Sequence, residues 1–298
     1  MRTHSALRFT RYTAFALACA LAMHAGAEPV KESYEEKIDQ SFPLGAGGLF
    51  TLENRNGSVE LSTWDKDEVR VVAEKHMRLD GDGWWLARLI GLNRTRITTD
   101  EEAQALFKQL IVEFSGDEKG RTVKTRYPES EDVNCTVSYR ITTPRKTRIE
   151  IDTVNGSIHV RGIEGETTAA TTSGSVSVED VVGRVHAITT NGKIDLEGIA
   201  GPVQAKSTNG SVSVSLSGAA KLEDVEMHSV NGSVRLYVPT NAAFAVKART
   251  VNGSVRCDLP LASVATQNRK RLDGVVGADG AQVELSTTNG SVQIGAIS

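Results

Sequence analysis

A short phrase, Asn-Gly-Ser followed by Val or Ile, recurs with small variations along most of the sequence and constrains the fold more than any other feature. From residue 155 onward, successive copies start 18, 18, 18, 22, 21 and 37 residues apart. A period near 20 residues is typical of repeat proteins, in which each repeat is one supersecondary unit stacked on the next. The phrases begin at Asn56, Asn155, Ser173, Asn191, Asn209, Asn231, Asn252 and Asn289.

Each phrase is predicted to form a tight corner between two short strands. Asn-Gly tolerates positive φ, and β-prone segments flank it, such as Val185–Thr189 before Asn191 and Ile194–Leu196 after it. Several repeats contain a second glycine-bearing corner, for example residues 198–201. The unit could build either a meander of antiparallel hairpins or a parallel β-solenoid with coils about 4.8 Å apart.

The recurrence of asparagine favours the solenoid. A hairpin turn in a meander faces solvent alone, so Asp-Gly or Gly-Gly would serve equally well there. In a solenoid each corner lies above the previous one, and the side-chain amides can hydrogen-bond along the stack as a ladder. We therefore predict a structural ladder formed by Asn155, Asn191, Asn209, Asn231, Asn252 and Asn289.

The apolar positions agree with stacked coils. Pairs such as Val176 and Val178, or Ile194 and Leu196, hold the same two offsets after the corner, so they would form inward-facing columns. Aromatic residues make up only 5% of the chain, which suits a narrow interior. We predict an all-β fold, a parallel β-solenoid of about 18 to 22 residues per coil.

An excursion interrupts the stack between Asn56 and Asn155. Thr99 and Glu102 have the spacing of a capping box, and apolar residues follow at helical spacing, so a helix is expected here, followed by a strand pair. We expect this helical excursion to cap the N-terminal end of the solenoid. The predicted organisation is a signal peptide (1–27), N-terminal strands and first coil (28–79), a helix-containing cap (80–133) and the repeat solenoid (134–298).

The first 27 residues have the three parts of a secretory signal. Three arginines precede an apolar run at 14–23, and Ala25-Gly26-Ala27 forms a small-residue cleavage site. Lipidation at Cys19 is the alternative, but it would shorten the apolar run to a few residues. We expect cleavage near Ala27, export, and residence in the periplasm or cell envelope.

Charge and motifs argue against several function classes. The chain has 34 Lys and Arg against 37 Asp and Glu, and the only ones of these residues in the signal are arginines. Removing the signal therefore makes the net charge more negative, so nucleic acid is not expected as a partner. Glu179, Asp195 and Glu197 could stack on one face, but we favour an acidic solvated surface moderated by neighbouring Lys and Arg over a catalytic site. Neither Cys135 nor Cys257 belongs to a metal-binding or redox motif, and both are expected to be free thiols. We expect no enzyme activity, no metal and no cofactor.

The segment from Trp84 to Leu92 is the most apolar stretch after the signal. Trp84, Trp85 and Arg88 could form an interaction patch, including peripheral contact with a membrane interface. More often, such a segment packs onto the end of a solenoid as part of a cap, and we favour this interpretation.

Further motifs carry a resemblance to a known family. They are the Glu-Glu-Ala helix at 101–103, the strand ending Arg-Tyr-Pro at 126–128, the phrase Tyr-Arg-Ile-Thr-Thr-Pro at 139–144, and the repeats that follow. In this order they resemble the bacterial putative-adhesin family known as domain of unknown function 4097. The resemblance covers roughly residues 48 to 298 and implies a β-solenoid of the cell envelope with no established activity.

Three functions remain open at this point. The first is a non-enzymatic envelope protein whose repetitive surface binds an envelope protein or glycan. The second, suggested only by the family, is an accessory to envelope-stress signalling. The third is a carbohydrate-active enzyme, since parallel β-helices include such enzymes.

Overall fold

A computed structural model describes residues 31, 33–79, 97, 99–130, 133–218, 222–277 and 280–297. Strands account for 68% of the described residues, which also include one helix. The strands form two sheets that face each other, sheet 1 with 11 strands and sheet 2 with 12. The predicted all-β solenoid is confirmed.

Each regular coil contributes one strand to each sheet. Within a sheet, the strands of successive regular coils are parallel and in register. For example, Val185 pairs with Val203, and Asn191 pairs with Asn209. In spatial order, the strands of sheet 1 are β1 (Ser33–Pro43), β4 (Glu68–Leu79), β7 (Val133–Pro144), β3 (Val59–Trp64), β9 (Ile158–Arg161), β11 (Val176–Glu179), β13 (Ile194–Ile199), β15 (Val212–Leu216), β17 (Val234–Val238), β23 (Val292–Ala296) and β19 (Val255–Cys257).

Sheet 2 forms the opposite wall of the solenoid. Its strands, in spatial order, are β20 (Leu261–Asn268), β21 (Arg271–Val276), β18 (Phe244–Asn252), β22 (Ala281–Asn289), β16 (Val225–Asn231), β14 (Val203–Asn209), β12 (Val185–Asn191), β10 (Thr167–Ser173), β8 (Thr147–Asn155), β2 (Gly48–Glu53), β6 (Gly120–Arg126) and β5 (Ile111–Gly116).

The core is a narrow slot between the two sheets. Sheet 1 supplies columns of Val, Ile and Leu, such as Val176 and Val178, which are fully buried. Sheet 2 faces them with smaller side chains, such as Ala187 and Thr189. Because strand residues alternate between the two faces, this pairing of branched and small side chains fills the interior of the regular coils. Phe50 on β2 and Phe244 on β18 are fully buried nearer the two ends.

The N-terminal end is closed by the excursion. Helix α1 (Asp100–Gln109) begins at Thr99 with the predicted capping box, and Ala103 is fully buried. The Tyr34 hydroxyl of β1 is bonded to Asp100, and its ring lies 5.9 Å from that of Phe107. The expected strand pair is also present as β5 and β6, which are antiparallel.

The coils at the C-terminal end do not stack in chain order. The expectation that each corner lies above the previous one holds from Asn155 to Asn231 but is wrong for Asn252. Asn289 pairs with Asn231 on one side and with Asn252 on the other, so the final coil β22–β23 lies between its two predecessors. The 37-residue gap before Asn289 provides the length for this return, because it contains the antiparallel hairpin β20–β21.

This topology predicts that residues 242–277 can be excised. The coil β22–β23 already pairs with β16 and β17. After the deletion, the connection from Val238 to Val283 has the same length as the natural connection from Leu216 to Val225, so it is long enough to join the two sheets. We expect the variant to keep its β-sheet circular dichroism and to unfold cooperatively in urea at a lower midpoint.

A control deletion of residues 239–280 removes the same strands but joins Val238 directly to Ala281. It leaves no connection to cross from sheet 1 to sheet 2, so it should not fold. If the variant that lacks residues 242–277 also loses cooperative unfolding, then the final coil needs the deleted strands in order to fold, and the prediction is wrong.

Candidate functional site

The corner asparagines form a side-chain ladder along one edge of the solenoid. Each donor Nδ2 bonds to the Oδ1 of the neighbour that lies nearer the N-terminal end of the stack, and the donor side chains are all exposed. The donor-to-acceptor pairs are Asn155 to Asn56 (2.8 Å), Asn209 to Asn191 (2.8 Å), Asn231 to Asn209 (2.8 Å), Asn289 to Asn231 (2.7 Å) and Asn252 to Asn289 (2.9 Å).

Ser173 divides the ladder into two parts. It occupies the corner position between Asn155 and Asn191 and pairs with both in the strand register. Its hydroxyl is too short to continue the chain of amides. The longer part therefore runs from Asn191 to Asn252.

Tyr127 closes the N-terminal end of the ladder. Its hydroxyl lies 2.7 Å from Asn54 Oδ1 and accepts from the backbone N–H of Asn56 at 3.0 Å. The Asn56 amide in turn donates to the Cys135 carbonyl at 3.2 Å. Burial raises the pKa of the Tyr127 hydroxyl, which keeps it protonated for this role. A shallow cavity of about 600 Å³ borders this tyrosine.

A second ladder, which the sequence analysis did not identify, lies inside the corner. In most coils a buried Thr or Ser two residues before the corner donates to the carbonyl of the corner glycine in the adjacent coil. In the sequence, this ladder is visible as a Thr or Ser at a strand position whose side chain faces the apolar core. The pairs are Thr171 to Gly156 (3.1 Å), Thr189 to Gly174 (3.0 Å), Ser207 to Gly192 (3.0 Å), Ser229 to Gly210 (2.9 Å), Thr287 to Gly232 (2.7 Å) and Thr250 to Gly290 (2.8 Å).

The corner glycines are required for a different reason from the one predicted. The expectation of positive φ is met at Gly57 but at none of the other corner glycines. A Cβ on Gly192 or Gly210 would instead lie 1.9 Å from the carbonyl oxygen of the glycine in the neighbouring coil. Close approach between stacked backbones, rather than turn conformation, therefore excludes any side chain here.

Together these features define a surface that we call the corner strip. It consists of the ladder position, the residue before it and the residue two places after it, in seven coils. Every position is exposed or half-exposed, and the one charged side chain, Lys193, is bound to Asp195. The residue before the ladder is always β-branched. The members are Val154, Asn155, Ser157, Thr172, Ser173, Ser175, Thr190, Asn191, Lys193, Thr208, Asn209, Ser211, Val230, Asn231, Ser233, Thr288, Asn289, Ser291, Val251, Asn252 and Ser254.

Residues 114–295, more than half of the chain, match the family model described as Toastrack DUF4097. The chain belongs to this family. The resemblance drawn from the Tyr-Pro strand and the repeats is thereby confirmed. No curated protein matches the sequence significantly.

Several solved structures are similar to this Toastrack chain. A putative cell adhesion protein from Clostridium sporogenes is 14% identical, with 89% of this chain and 100% of that one covered and a TM-score of 0.35. A putative adhesin from Bacteroides fragilis is 9% identical, with 88% and 97% covered and a TM-score of 0.37. A putative lipid binding protein from Parabacteroides distasonis is 12% identical, with 88% and 97% covered and a TM-score of 0.32.

Two of the three candidate carboxylates on sheet 1, Glu179 and Asp195, are held in ion pairs. Glu179 lies 2.6 Å from the Arg161 guanidinium and 3.7 Å from His159 Nε2, and Asp195 is paired with Lys193. Across the described ranges, no three His, Cys, Asp or Glu side chains are grouped so that they could hold a metal ion. In this Toastrack chain, Glu179 and Asp195 thus form neutralised pairs on an open face.

The remaining candidates lie away from the corner strip. Cys135 on β7 is buried and Cys257 on β19 is half-buried, and both are free, near opposite ends of sheet 1. Burial raises the pKa of the Cys135 thiol to about 11, so it stays protonated and unreactive. Trp84, Trp85 and Arg88 fall outside the residues that the structure describes. In the described part of the chain, no helix has the length and apolarity needed to cross a membrane.

The interruption at Ser173 provides a test of the ladder. Ser173→Asn would join Asn155 to Asn191 and is expected to stabilise the fold by about 1 kcal/mol, because it adds two exposed amide hydrogen bonds. Asn209→Ala removes two such bonds and should destabilise it by about the same amount. Urea unfolding measures both changes. Ser173→Ala is the control, and a Ser173→Asn midpoint no higher than that of Ser173→Ala would contradict the ladder's contribution.

The glycine requirement can be tested separately. Gly210→Ala forces a methyl group against the Gly192 carbonyl and should destabilise the fold by about 2 to 3 kcal/mol through overpacking. Gly218→Ala is the matched control, because the nearest atom to its Cβ would be 4.0 Å away; we expect a change within about 0.5 kcal/mol. Equal urea midpoints for the two variants would show that the coils can separate at the corner.

Proposed function

We propose that this Toastrack chain is a non-enzymatic binding protein of the bacterial cell envelope, and that its corner strip holds an extended, uncharged glycan. The observation that carries the proposal is the composition of the strip. In a chain with 24% charged residues, the strip contains a single charged side chain, and that one is neutralised. An uncharged surface rich in hydroxyl and amide groups favours a ligand that is itself neutral and hydroxylated.

The hydrogen-bonding capacity of the ladder supports this proposal. An asparagine amide has two N–H donors, and its oxygen has two lone pairs. The ladder uses one donor and one lone pair of an internal member such as Asn209. The other donor and lone pair remain available to a ligand in each coil that carries an internal ladder asparagine. The β-branched column beside the ladder adds methyl groups that could pack against the C–H faces of sugar rings.

The geometry of the strip favours an extended ligand. Seven coils at the strand spacing of about 4.8 Å give a straight strip roughly 30 Å long. Similar contacts repeat at each coil, so a polymer could gain affinity by engaging several coils at once. A compact ligand would meet only a shallow surface.

The proposed role as a binder rather than an enzyme rests on the carboxylates. Glycoside hydrolysis needs two carboxyl groups that flank the scissile bond, one of them protonated. Glu179 and Asp195 are each paired with a cation instead. Both carboxylates are thus engaged with neighbouring side chains of the protein, which suits a structural surface better than catalysis.

The test is co-sedimentation of residues 28–298 with insoluble cellulose, chitin and purified peptidoglycan. We expect the wild-type protein to sediment with at least one of them. The double variant Thr172→Lys/Thr208→Lys places two charges on the strip two coils apart and should lower the bound fraction about tenfold through the cost of desolvating the ammonium groups.

Ser177→Lys/Ser213→Lys is the matched control. It adds the same charges two coils apart on the outer face of sheet 1 and should leave binding unchanged. Both variants should keep the wild-type melting temperature, because all four side chains point outward. The proposal is refuted if the wild type sediments with none of the three polymers. It is also refuted if both double variants lose the same fraction of binding.

A further inference from the structure

The two ends of the solenoid are covered very differently. At the N-terminal end, α1 packs against β1 and leads into β5, so both sheets are closed by the same element. At the C-terminal end, sheet 1 stops at β19, which has three residues. Sheet 2 continues for two more strands, β21 and β20. The hairpin β20–β21 therefore extends beyond the last strand of sheet 1.

The outer strand β20 is exposed on both faces. Of its residues, only Leu261 and Thr266 are partly buried, and Val264 is 47% exposed. Half-buried Val255 and Leu259 lie at the adjoining edge of the core. This end of the molecule thus presents apolar side chains that no opposing strand of sheet 1 covers.

One edge of β20 also has no backbone partner. The strand pairs with β21 alone, and no other backbone hydrogen bond involves residues 261–268 within the described ranges. Its side chains carry no charge, whereas natural edge strands are commonly protected by charged residues. The opposite edge of the protein, β1, has such protection, with Glu35, Glu36, Lys37 and Asp39.

A fixed cationic tip stands at the end of this strand. The Arg269 and Lys270 carbonyls accept from Val255 N–H (2.8 Å) and Thr250 N–H (2.9 Å), which holds the tip against the last corner. The Asn268 side chain caps the turn by accepting from Lys270 and Arg271 N–H at 2.9 Å. Neither the Arg269 nor the Lys270 side chain has a carboxylate partner in the part of the chain that the structure describes.

We propose that the C-terminal end of the solenoid docks an extended acidic segment of a partner protein, which adds to the free edge of β20 as a new strand. Backbone hydrogen bonds along β20 would supply affinity, as in other cases of strand addition. Acidic side chains at one end of the segment would neutralise Arg269 and Lys270. Apolar side chains facing the core would cover Val264 and Leu261.

The shape of β20 favours a flexible segment over a second copy of this chain. Ala262 and Ala265 are extra residues at two register shifts, and such bulges bend a strand. A rigid edge from another copy would have to match this bend along its whole length. A peptide can follow it.

The experiment uses fluorescence anisotropy with residues 28–298 and three labelled eight-residue peptides. The first alternates Thr and Val over five residues and ends in Glu-Asp-Glu. The second ends in Lys-Lys-Lys. The third has the acidic sequence with the backbone nitrogens of all five Thr and Val residues methylated, which removes the strand-pairing donors on both edges without changing charge. We expect the acidic peptide to bind about tenfold more tightly than either of the others.

Arg269→Glu/Lys270→Glu should weaken binding of the acidic peptide by about tenfold. Lys146→Glu/Arg148→Glu makes the same charge change near the other end of the solenoid and should alter it by less than about twofold. The melting temperatures of both variants should match that of the wild type. Glycan co-sedimentation of the Arg269→Glu/Lys270→Glu variant should be unchanged, which separates this proposal from the proposed function.

Three outcomes would overturn the proposal. Equal affinity for the methylated and unmethylated acidic peptides would show charge attraction without strand pairing. No measurable binding of the acidic peptide by the wild type would show that the edge is closed to peptides. An equal loss in the two charge-reversal variants would show that the protein's overall charge, rather than the tip, governs binding.

Discussion

The approach of one coil to the next at the corner is the constraint on which the rest of the structure depends. Strand spacing brings each corner glycine so close to the carbonyl of its neighbour that a Cβ on Gly192 or Gly210 would lie 1.9 Å from that oxygen. Backbone hydrogen bonds therefore continue around the corner, as from Gly174 N–H to the Asn191 carbonyl at 3.1 Å. The outer amide ladder and the inner hydroxyl ladder flank this line of glycines, so both depend on its regularity.

The same regularity determines what the surface can do. On the faces of the sheets, some residues of opposite charge at equivalent positions in neighbouring coils neutralise each other, as Arg161 and Glu179 do. At the corner, short uncharged side chains occupy equivalent positions in successive coils, and charge is almost absent. A catalytic site would need different side chains to converge on one point. Stacked equivalents instead create parallel columns, which suit recognition of a repeating ligand better than catalysis.

A stack of coils must also solve the problem of its two ends. The N-terminal end uses a helix and charged edge strands. The C-terminal end uses the hairpin β20–β21, and the last coil of the chain lies inside the stack rather than on top of it. The outermost coil is therefore β18–β19. On its free side, the hairpin pairs with β18 in sheet 2. This arrangement leaves β20 exposed beside the cationic tip at Arg269 and Lys270, which is why we propose that a partner protein docks at this end.

The sequence alone determined the solenoid, because the period near 20 residues and the recurring asparagine have no other economical explanation; it also determined helix α1, whose capping box is local. It misassigned the reason for the glycines, since close approach depends on a neighbouring coil rather than on the turn itself. The tertiary structure alone decided the position of the Asn289 coil between Asn231 and Asn252, because identical repeats carry equivalent pairing surfaces and cannot specify their own order. It also decided which sheet extends further and so which edge remains free.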